Sequence, residues 1–401
     1  MSRWPGLAAG HEARTAWGMK RFGFDISDEE ALIGQTAADF ASRRLAGGAA
    51  ERDRTGRFPV EAIQELGAMG LLAMKVSEKD GGAGATNVGY LLAMQGIAAA
   101  CASTAVILAS SNLAAKVLAD HASSVQRERW LAPYVRGELG PASFALTEPL
   151  GGSDAAAIRT RARLEGGSWI LDGEKAWITS GSHAALHLVF ARTDEEGKEG
   201  MSCFVVERGT PGLIVGKDED KMGQRSSGTT TLAFDGCRIP DGHLLGKRRG
   251  GYGIALSALG AGRVGIAGLS LGIAEAAFAA GVTYAKERRV FGQALTSFQN
   301  TQFVLADSRM DLDAAWLLAF RAARALDAGE RAGAETSMAK LFATEACGRV
   351  VDRMVQIHGG YGYSREFLVE RLYRDARVTR IYEGTSEIQR IVIARDVLRD
   401  A

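Results

Sequence analysis

Residues 168–179 read SWILDGEKAWIT. The stretch belongs to a run of short segments rich in Val, Ile, Trp, Phe and Thr: RTRARLE (159–165), LHLVFART (186–193), MSCFVVERG (201–209), GLIVGKD (212–218) and TTLAFDGCRIP (230–240). Turns containing Gly, Asp and Pro separate them, which predicts an antiparallel β-domain over 139–247, a small barrel or sandwich. This change of period decides the fold, because both flanks read as helix.

On the N-terminal side, Ser27 followed by Glu30 forms the pattern of a capping box ahead of a helix, and VEAIQELGAMG (60–70) predicts another. SEKDGGAGAT (77–86) is a glycine-rich turn, and the small and branched apolar residues of 88–118 predict a buried helix pair. On the C-terminal side, Phe303, Ala306, Met310, Leu317 and Phe320 recur at helical spacing within 296–328, predicting one long amphipathic helix. The stretch from Gly251 to Arg289 is small and apolar nearly all round, as in a bundle interior or subunit contact. The chain therefore reads as an α+β protein: a loose leader (1–24), an N-terminal helical domain (25–138), the β-domain (139–247) and a C-terminal helical bundle (248–401).

Composition narrows the function. A chain of 401 residues with net charge +1 carries no field that would imply a nucleic-acid partner, so the local run KERR (286–289) needs a local explanation. Cys101, Cys203, Cys237 and Cys347 form no CxxC pair, which argues against a zinc ribbon and for a reducing, cytoplasmic compartment. The apolar helices are cut by Arg263 and by 286–289, so no membrane insertion is expected. His183 and His187 read as exposed or strand-face residues and His358 as a helix-end group, without ligand spacing, so no metal is expected.

The stretch RIYEGTSEIQR (380–390) places a carboxylate, Glu383, between an aromatic residue and a glycine. Walled by Tyr382 and Ile381, with Gly384 allowing close backbone approach, such an acid would be raised toward neutral pH and could act as a base. The alternative from this motif alone is a surface or helix-terminal glutamate. No GxGxxG follows a strand and opens a helix, so a Rossmann site is unsupported.

CASTAVI (101–107), FALTEPLGGSDAAAI (144–158), GEKAWITS (173–180), KMGQRSSGTT (221–230), RRVFG (288–292), QIHGGYGYS (356–364) and YRDARVTRIYEGTSEIQR (373–390) together resemble the acyl-CoA dehydrogenase family, its short-chain, butyryl-type members most closely. The resemblance implies a helical domain, a β-domain and a C-terminal four-helix bundle, with FAD between the last two. It implies α,β-dehydrogenation of a short-chain acyl-CoA to a trans-2-enoyl-CoA, Glu383 removing the α-proton and flavin N5 accepting the β-hydride. Arg263 would brace the site. Phe144, Leu146, Thr147, Trp177, Ile178 and Thr179 would contact the flavin, with Thr385 and Glu387 near its ribityl and pyrophosphate region. Arg288, Phe291, Gln299, Gln356 and Gly360 would reach the adenosine diphosphate part of FAD in a neighbouring subunit of a homotetramer. Ser153, Tyr382 and Gly384 would serve the substrate, and electron-transferring flavoprotein would reoxidise the enzyme.

Two departures matter. Isovaleryl-type and long-chain members carry their base just before the helix arginine, where this chain has Gly262; medium-chain members carry an aspartate that contacts CoA where it has Gly260. The alternatives are a dehydrogenase for medium, branched or unusual acyl groups, an acyl-CoA oxidase, a glutaryl-type enzyme needing an extra partner for a substrate carboxylate, or a flavin-free binding protein on the same scaffold.

Overall fold

The structure, a computed structural model, describes residues 25–193 and 198–399; the leader 1–24 lies outside them. The N-terminal domain opens with α1 (Asp28–Phe40), where Ser27 and Glu30 close the expected capping box and Glu30 also pairs with Arg324 at 2.6 Å. Then come α2 (Ala49–Thr55), α3 (Val60–Ala68), and the buried pair α4 (Asn87–Ala100) and α5 (Ala102–His121). Asn112 of α5 fastens the loop between α3 and α4, accepting from Met74 N–H at 2.9 Å and donating to Leu71 O at 2.8 Å.

The middle domain is an eight-stranded sheet: β1 (Ala142–Ala145), β2 (Arg161–Glu165), β3 (Ser168–Ile178), β4 (Leu186–Arg192), β5 (Met201–Glu207), β6 (Leu213–Val215), β7 (Thr230–Pro240) and β8 (Leu244–Leu245). Its path runs β6-β7-β3-β2-β4-β5-β8, with β1 on β4. The expectation of an antiparallel sheet needs one correction: β1 and β2 both pair with β4 in parallel. β4 is buried along its whole length because Val189 and Ala191 enter the sheet's own core, while Leu188 and Phe190 enter the core shared with the helices. His187, read from sequence as exposed or strand-face, is on this strand but fully buried, Nδ1 lying 2.8 Å from Ser143 Oγ.

The C-terminal domain comprises α6 (Gly251–Glu287), a hairpin of β9 (Arg289–Val290) and β10 (Gln293–Ala294), α7 (Gln299–Asp327), α8 (Gly333–His358), α9 (Leu368–Arg377) and α10 (Ser386–Arg399). Gly268 and Gly272 of α6 face the backbone of α4, where a Cβ at Gly268 would meet Leu91 O at 2.6 Å, so α6 packs across the N-terminal domain. By length and composition alone α5 and α6 are long and apolar enough to cross a membrane, although charged residues interrupt both. Their most apolar windows are 94% and 78% buried in the protein. On α7 the face read from sequence as amphipathic also needs correction: Phe303, Met310 and Leu317 are exposed, and the core is filled by Leu312, Ala315, Trp316, Ala319 and Phe320. Both faces carry apolar residues, so periodicity alone could not choose between them.

Candidate active site

The segment between α9 and α10 sets the site. Glu383 (φ 51°) and Gly384 (φ 90°) are successive left-handed residues, a reversal that glycine adopts freely and glutamate only when its surroundings enforce it. They do so here. Lys340 of α8 donates to Gly384 O at 2.8 Å, and Gln389 of α10 donates to the same oxygen at 2.9 Å and to Glu383 O at 3.3 Å. No hydrogen bond from the Glu383 N–H occurs among the described residues.

The turn carries the carboxylate inward. Glu383 Oε2 is buried without a hydrogen-bond partner. It faces α6 at Gly262, where an added Cβ would lie 2.6 Å from Oε2 and 3.3 Å from Leu113 Cδ1. The next residue, Arg263, is buried, donates from Nη1 to Ser337 Oγ at 2.8 Å, and leaves Nε without a partner. Burial pushes the Glu383 carboxyl up to about 7, against the pull of Lys340, Arg263 and Lys75. The same desolvation draws Lys340 and Lys75 down to about 8, with the Glu383 charge opposing the fall in both. A carboxylate poised near neutrality, with a vacant acceptor oxygen and three cations around it, is equipped to take a proton from a neutral donor.

Of the two expected wall residues, only Tyr382 serves: its hydroxyl accepts from Gln224 Nε2 at 3.2 Å, whereas Ile381 is 51% exposed. Gln224 is itself left-handed (φ 46°), and its backbone N–H donates to buried Asp375, so the β-domain is locked onto α9 beside the base.

A second group of predicted residues meets at the ends of β1 and β3. Ala176 N–H donates to Thr147 O at 2.9 Å, joining the two segments. The β3–β7 register shifts between Lys175 and Ile178, and within this bulge Trp177 takes φ 60° and stands 61% exposed. The bulge turns the indole out of a strand whose neighbours are buried, giving a flat aromatic ledge at the level of half-buried Thr147 and Thr179, while half-buried Phe144 packs its ring on Phe190, centroids 4.7 Å apart. Leu146 and Ile178 are core residues, so they can offer only backbone groups. Beneath the ledge lies an ion pair that sequence reasoning missed: buried Lys175 meets Glu148 at 2.6 Å. Glu148 also accepts from Arg159 N–H (2.6 Å), Thr160 N–H (2.9 Å) and Thr160 Oγ1 (2.6 Å). The sequence signal was weak, because Lys175 follows Asp172, Gly173 and Glu174 in the strand and only its burial makes an unpaired cation costly. Ser153, with Gly151 and Gly152, lies on the exposed loop that follows.

Thr385 immediately precedes α10 and caps it, its Oγ1 accepting from Ile388 N–H at 3.3 Å, and Glu387 projects into solvent. A third group stands apart. Arg288 and Gly360 line a cleft of about 430 Å³ with Tyr284, Ile357, His358 and Tyr361, and the Arg288 guanidinium lies 5.6 Å from the Tyr361 ring centroid. Gln356 lies on the last turn of α8, Gln299 opens α7, and Phe291, at the hairpin tip with φ 48°, is 95% exposed. None of the five hydrogen-bonds to Glu383 among the described residues, so this group stands apart from the base. Gly260 faces open space, so an acid there would meet no steric barrier.

The residues present fit a flavin. An aromatic ledge turned out of the sheet by a strained bulge and hydroxyls at its edge suit a flat, polar-rimmed ring, and the buried carboxylate leaves an acceptor oxygen free for substrate.

Comparison with known proteins identifies the family. The N-terminal, middle and C-terminal domain models of acyl-CoA dehydrogenase match residues 27–138, 143–237 and 249–398, and the chain belongs to this family of FAD-dependent acyl-CoA dehydrogenases. More particularly, it is 46% identical over 378 residues to the mouse short-chain specific acyl-CoA dehydrogenase, covering 94% of this chain and 91% of that one. Butyryl-CoA dehydrogenase from Megasphaera elsdenii superimposes with a TM-score of 0.91 at 38% identity, covering 94% of this chain and 100% of that one. A chain in a structure described as the electron transferring flavoprotein of Acidaminococcus fermentans gives 0.92, also at 38% identity and with the same coverage.

Proposed function

We propose that this enzyme dehydrogenates a short-chain acyl-CoA between its α and β carbons, releasing a trans-2-enoyl-CoA, with Glu383 as the base. The observation that carries this reading is the Glu383 carboxylate, raised to about 7 with Oε2 buried and unpartnered. Oε2 accepts the α-proton, and Arg263, Lys340 and Lys75 stabilise the charge that the carboxylate carries beforehand. The free Glu383 N–H donates to the thioester oxygen, whose negative charge grows as the α-proton leaves. Bound FAD supplies the acceptor for the β-hydrogen and its electron pair. Thr147, Trp177 and Thr179 orient the acceptor, Phe144 packs beside it, and Leu146 and Ile178 offer backbone groups. Thr385 and Glu387 lie toward its ribityl and pyrophosphate part.

On the substrate side, Tyr382 and Gly384 border the thioester and Ser153 meets the pantetheine arm. Arg288, Phe291, Gln299, Gln356 and Gly360 serve the adenosine diphosphate part of FAD held by another copy of the chain. The exposed Phe291 and the apolar stripe of Phe303, Met310 and Leu317 support the homotetramer this requires. Electron-transferring flavoprotein reoxidises the enzyme, and four free, buried cysteines suit the cytoplasm.

The test is anaerobic mixing with butyryl-CoA while following flavin absorbance near about 450 nm. Bleaching is expected in the wild type and not in Glu383→Gln. A yellow protein that bleaches equally in the variant would remove Glu383 from its role.

A further inference from the structure

Two stretches of the chain, CASTAVI (101–107) and KMGQRSSGTT (221–230), have no part in the reaction proposed above, yet they meet beside it. Ser226 N–H donates to Ser103 Oγ at 3.4 Å. The turn that carries Ser226 is held from several sides. Arg225 donates from Nε to Asp53 O of α2 and from Nη1 to Lys221 O, both at 2.8 Å. Gly223 lies so near α9 that an added Cβ would collide with Arg374 O. Gln224, Ser226 and Ser227 are no more than 2% exposed.

This turn bridges the two halves of the site. At one end Gln224 donates from Nε2 to the Tyr382 hydroxyl at 3.2 Å and to Asp375 O at 3.1 Å, and its N–H donates to the Asp375 carboxylate. Tyr382 directly precedes Glu383. In the middle, Gln224 O accepts from Ser227 Oγ at 2.8 Å and from Ser227 N–H at 3.2 Å. At the other end Ser227 O accepts from Ser180 N–H at 3.3 Å, and Ser180 follows Thr179 at the level of the aromatic ledge. Gln224 (φ 46°) and Ser180 (φ 60°) both hold left-handed backbone, which a residue with a Cβ keeps only when its surroundings enforce it. A run of hydrogen bonds therefore joins the residue before the base to the residue after the ledge.

We infer that Gln224 and Ser227 are positioning residues that set the separation between the base and the flavin, acting through Tyr382 and Ser180. The inference rests on the reading of Glu383 as the base and of the ledge as the seat of the flavin. The proton acceptor Oε2 and the donor to the thioester oxygen, the Glu383 N–H, belong to one residue. A bound acyl group therefore moves with that residue and keeps its α-carbon within reach of the carboxylate. What the bridge fixes is the other distance, from the β-carbon to the acceptor on the ledge. A misplacement of about 1 Å there costs about 100-fold in rate.

Two probes separate these distances in the FAD-loaded enzyme. 3-Thiabutanoyl-CoA carries acidic α-hydrogens but has sulfur at its β-position, so it can only exchange. Its α C–H bond breaks toward Glu383 Oε2, solvent deuterium replaces the proton on the carboxyl, and the deuteron returns to the same carbon. Butyryl-CoA requires both transfers and is followed by flavin bleaching. Gln224→Met keeps the side chain's length and removes its amide. It should slow bleaching at saturating butyryl-CoA by about 100-fold with normal FAD content. The half-saturating concentration and the α-exchange rate should stay within about 3-fold of the wild type. Ser227→Ala and Tyr382→Phe, each deleting one neutral hydrogen bond of the bridge, should show the same split at about 5-fold. Amide hydrogen exchange in the peptide carrying Ser180 should quicken by about 5-fold in Gln224→Met and Ser227→Ala, with α4 unchanged. Should Gln224→Met fail to retain FAD, the two milder variants decide the matter. Equal slowing of exchange and bleaching, or bleaching unmoved in folded, yellow variants, overturns the inference. Such a result leaves the proposed function standing as long as the wild type bleaches and Glu383→Gln does not. A wild type that neither exchanges nor bleaches, or exchange that persists in Glu383→Gln, removes the base and both readings together.

Discussion

The sharpest consequence of the Glu383 environment is the pH dependence of proton abstraction. Burial raises the carboxyl from its ordinary 4.5 to about 7, and the cations around it only moderate the rise. A base must be ionised, so at pH 5.5 only about 3% of the free enzyme would be active, against about 90% for an acid at its ordinary value. The rate constant for flavin bleaching at limiting substrate should therefore fall about 30-fold from pH 8.5 to 5.5, by anaerobic stopped flow. The same residue affects stability with a definite sign. Its folded value lies above its unfolded one, so it costs nothing below about pH 4.5. The cost grows as pH rises from there to about 7, then stays constant at up to about 3 kcal/mol before solvent screening. Glu383→Gln should accordingly be more stable than the wild type at pH 8, the two converging toward pH 4.5, in urea titrations at fixed protein and FAD concentrations. A bleaching rate independent of pH from 5.5 to 8.5 would refute the argument that a buried carboxylate accepts the proton.

Gly262→Ala puts a Cβ 2.6 Å from Oε2, so the carboxylate must shift; kcat should drop by about 100-fold with a normal FAD content, as read from absorbance and steady-state rates. Lys175→Met strands the Glu148 carboxylate in the sheet and should cost about 3 to 5 kcal/mol, seen as a lower Tm together with weaker FAD retention. Ser27→Ala opens the capping box and should lower stability by about 1 kcal/mol in denaturant titration, without changing the bleaching rate.

Much of this molecule is legible along the chain. The change from helical to strand period near residue 139 and back near 247, the capping box at Ser27, the buried pair α4 and α5, and the acid within YEGT are all local signals. Side-chain periodicity and turn chemistry are written in neighbouring residues. Sequence also marked Trp177 and Thr147 as partners on two β segments, but not the bulge that turns the indole outward, because a register shift depends on how β7 lies against β3. It could not choose which apolar stripe of α7 faces inward, since both carry large residues and only the packing of α6 and α8 decides.

The same holds for the acid. Sequence placed a carboxylate at 383, but the left-handed turn that sends it inward is held by Lys340 and Gln389, and the room for it comes from Gly262, more than 100 residues earlier. Nor do the residues around Lys75 reveal that it stands over the Tyr90 ring. Residue type and spacing determine which elements form. Burial, the desolvation that follows from it and the choice of charged neighbours belong to the packed chain, and they turn a glutamate of ordinary acidity into a base near neutral pH.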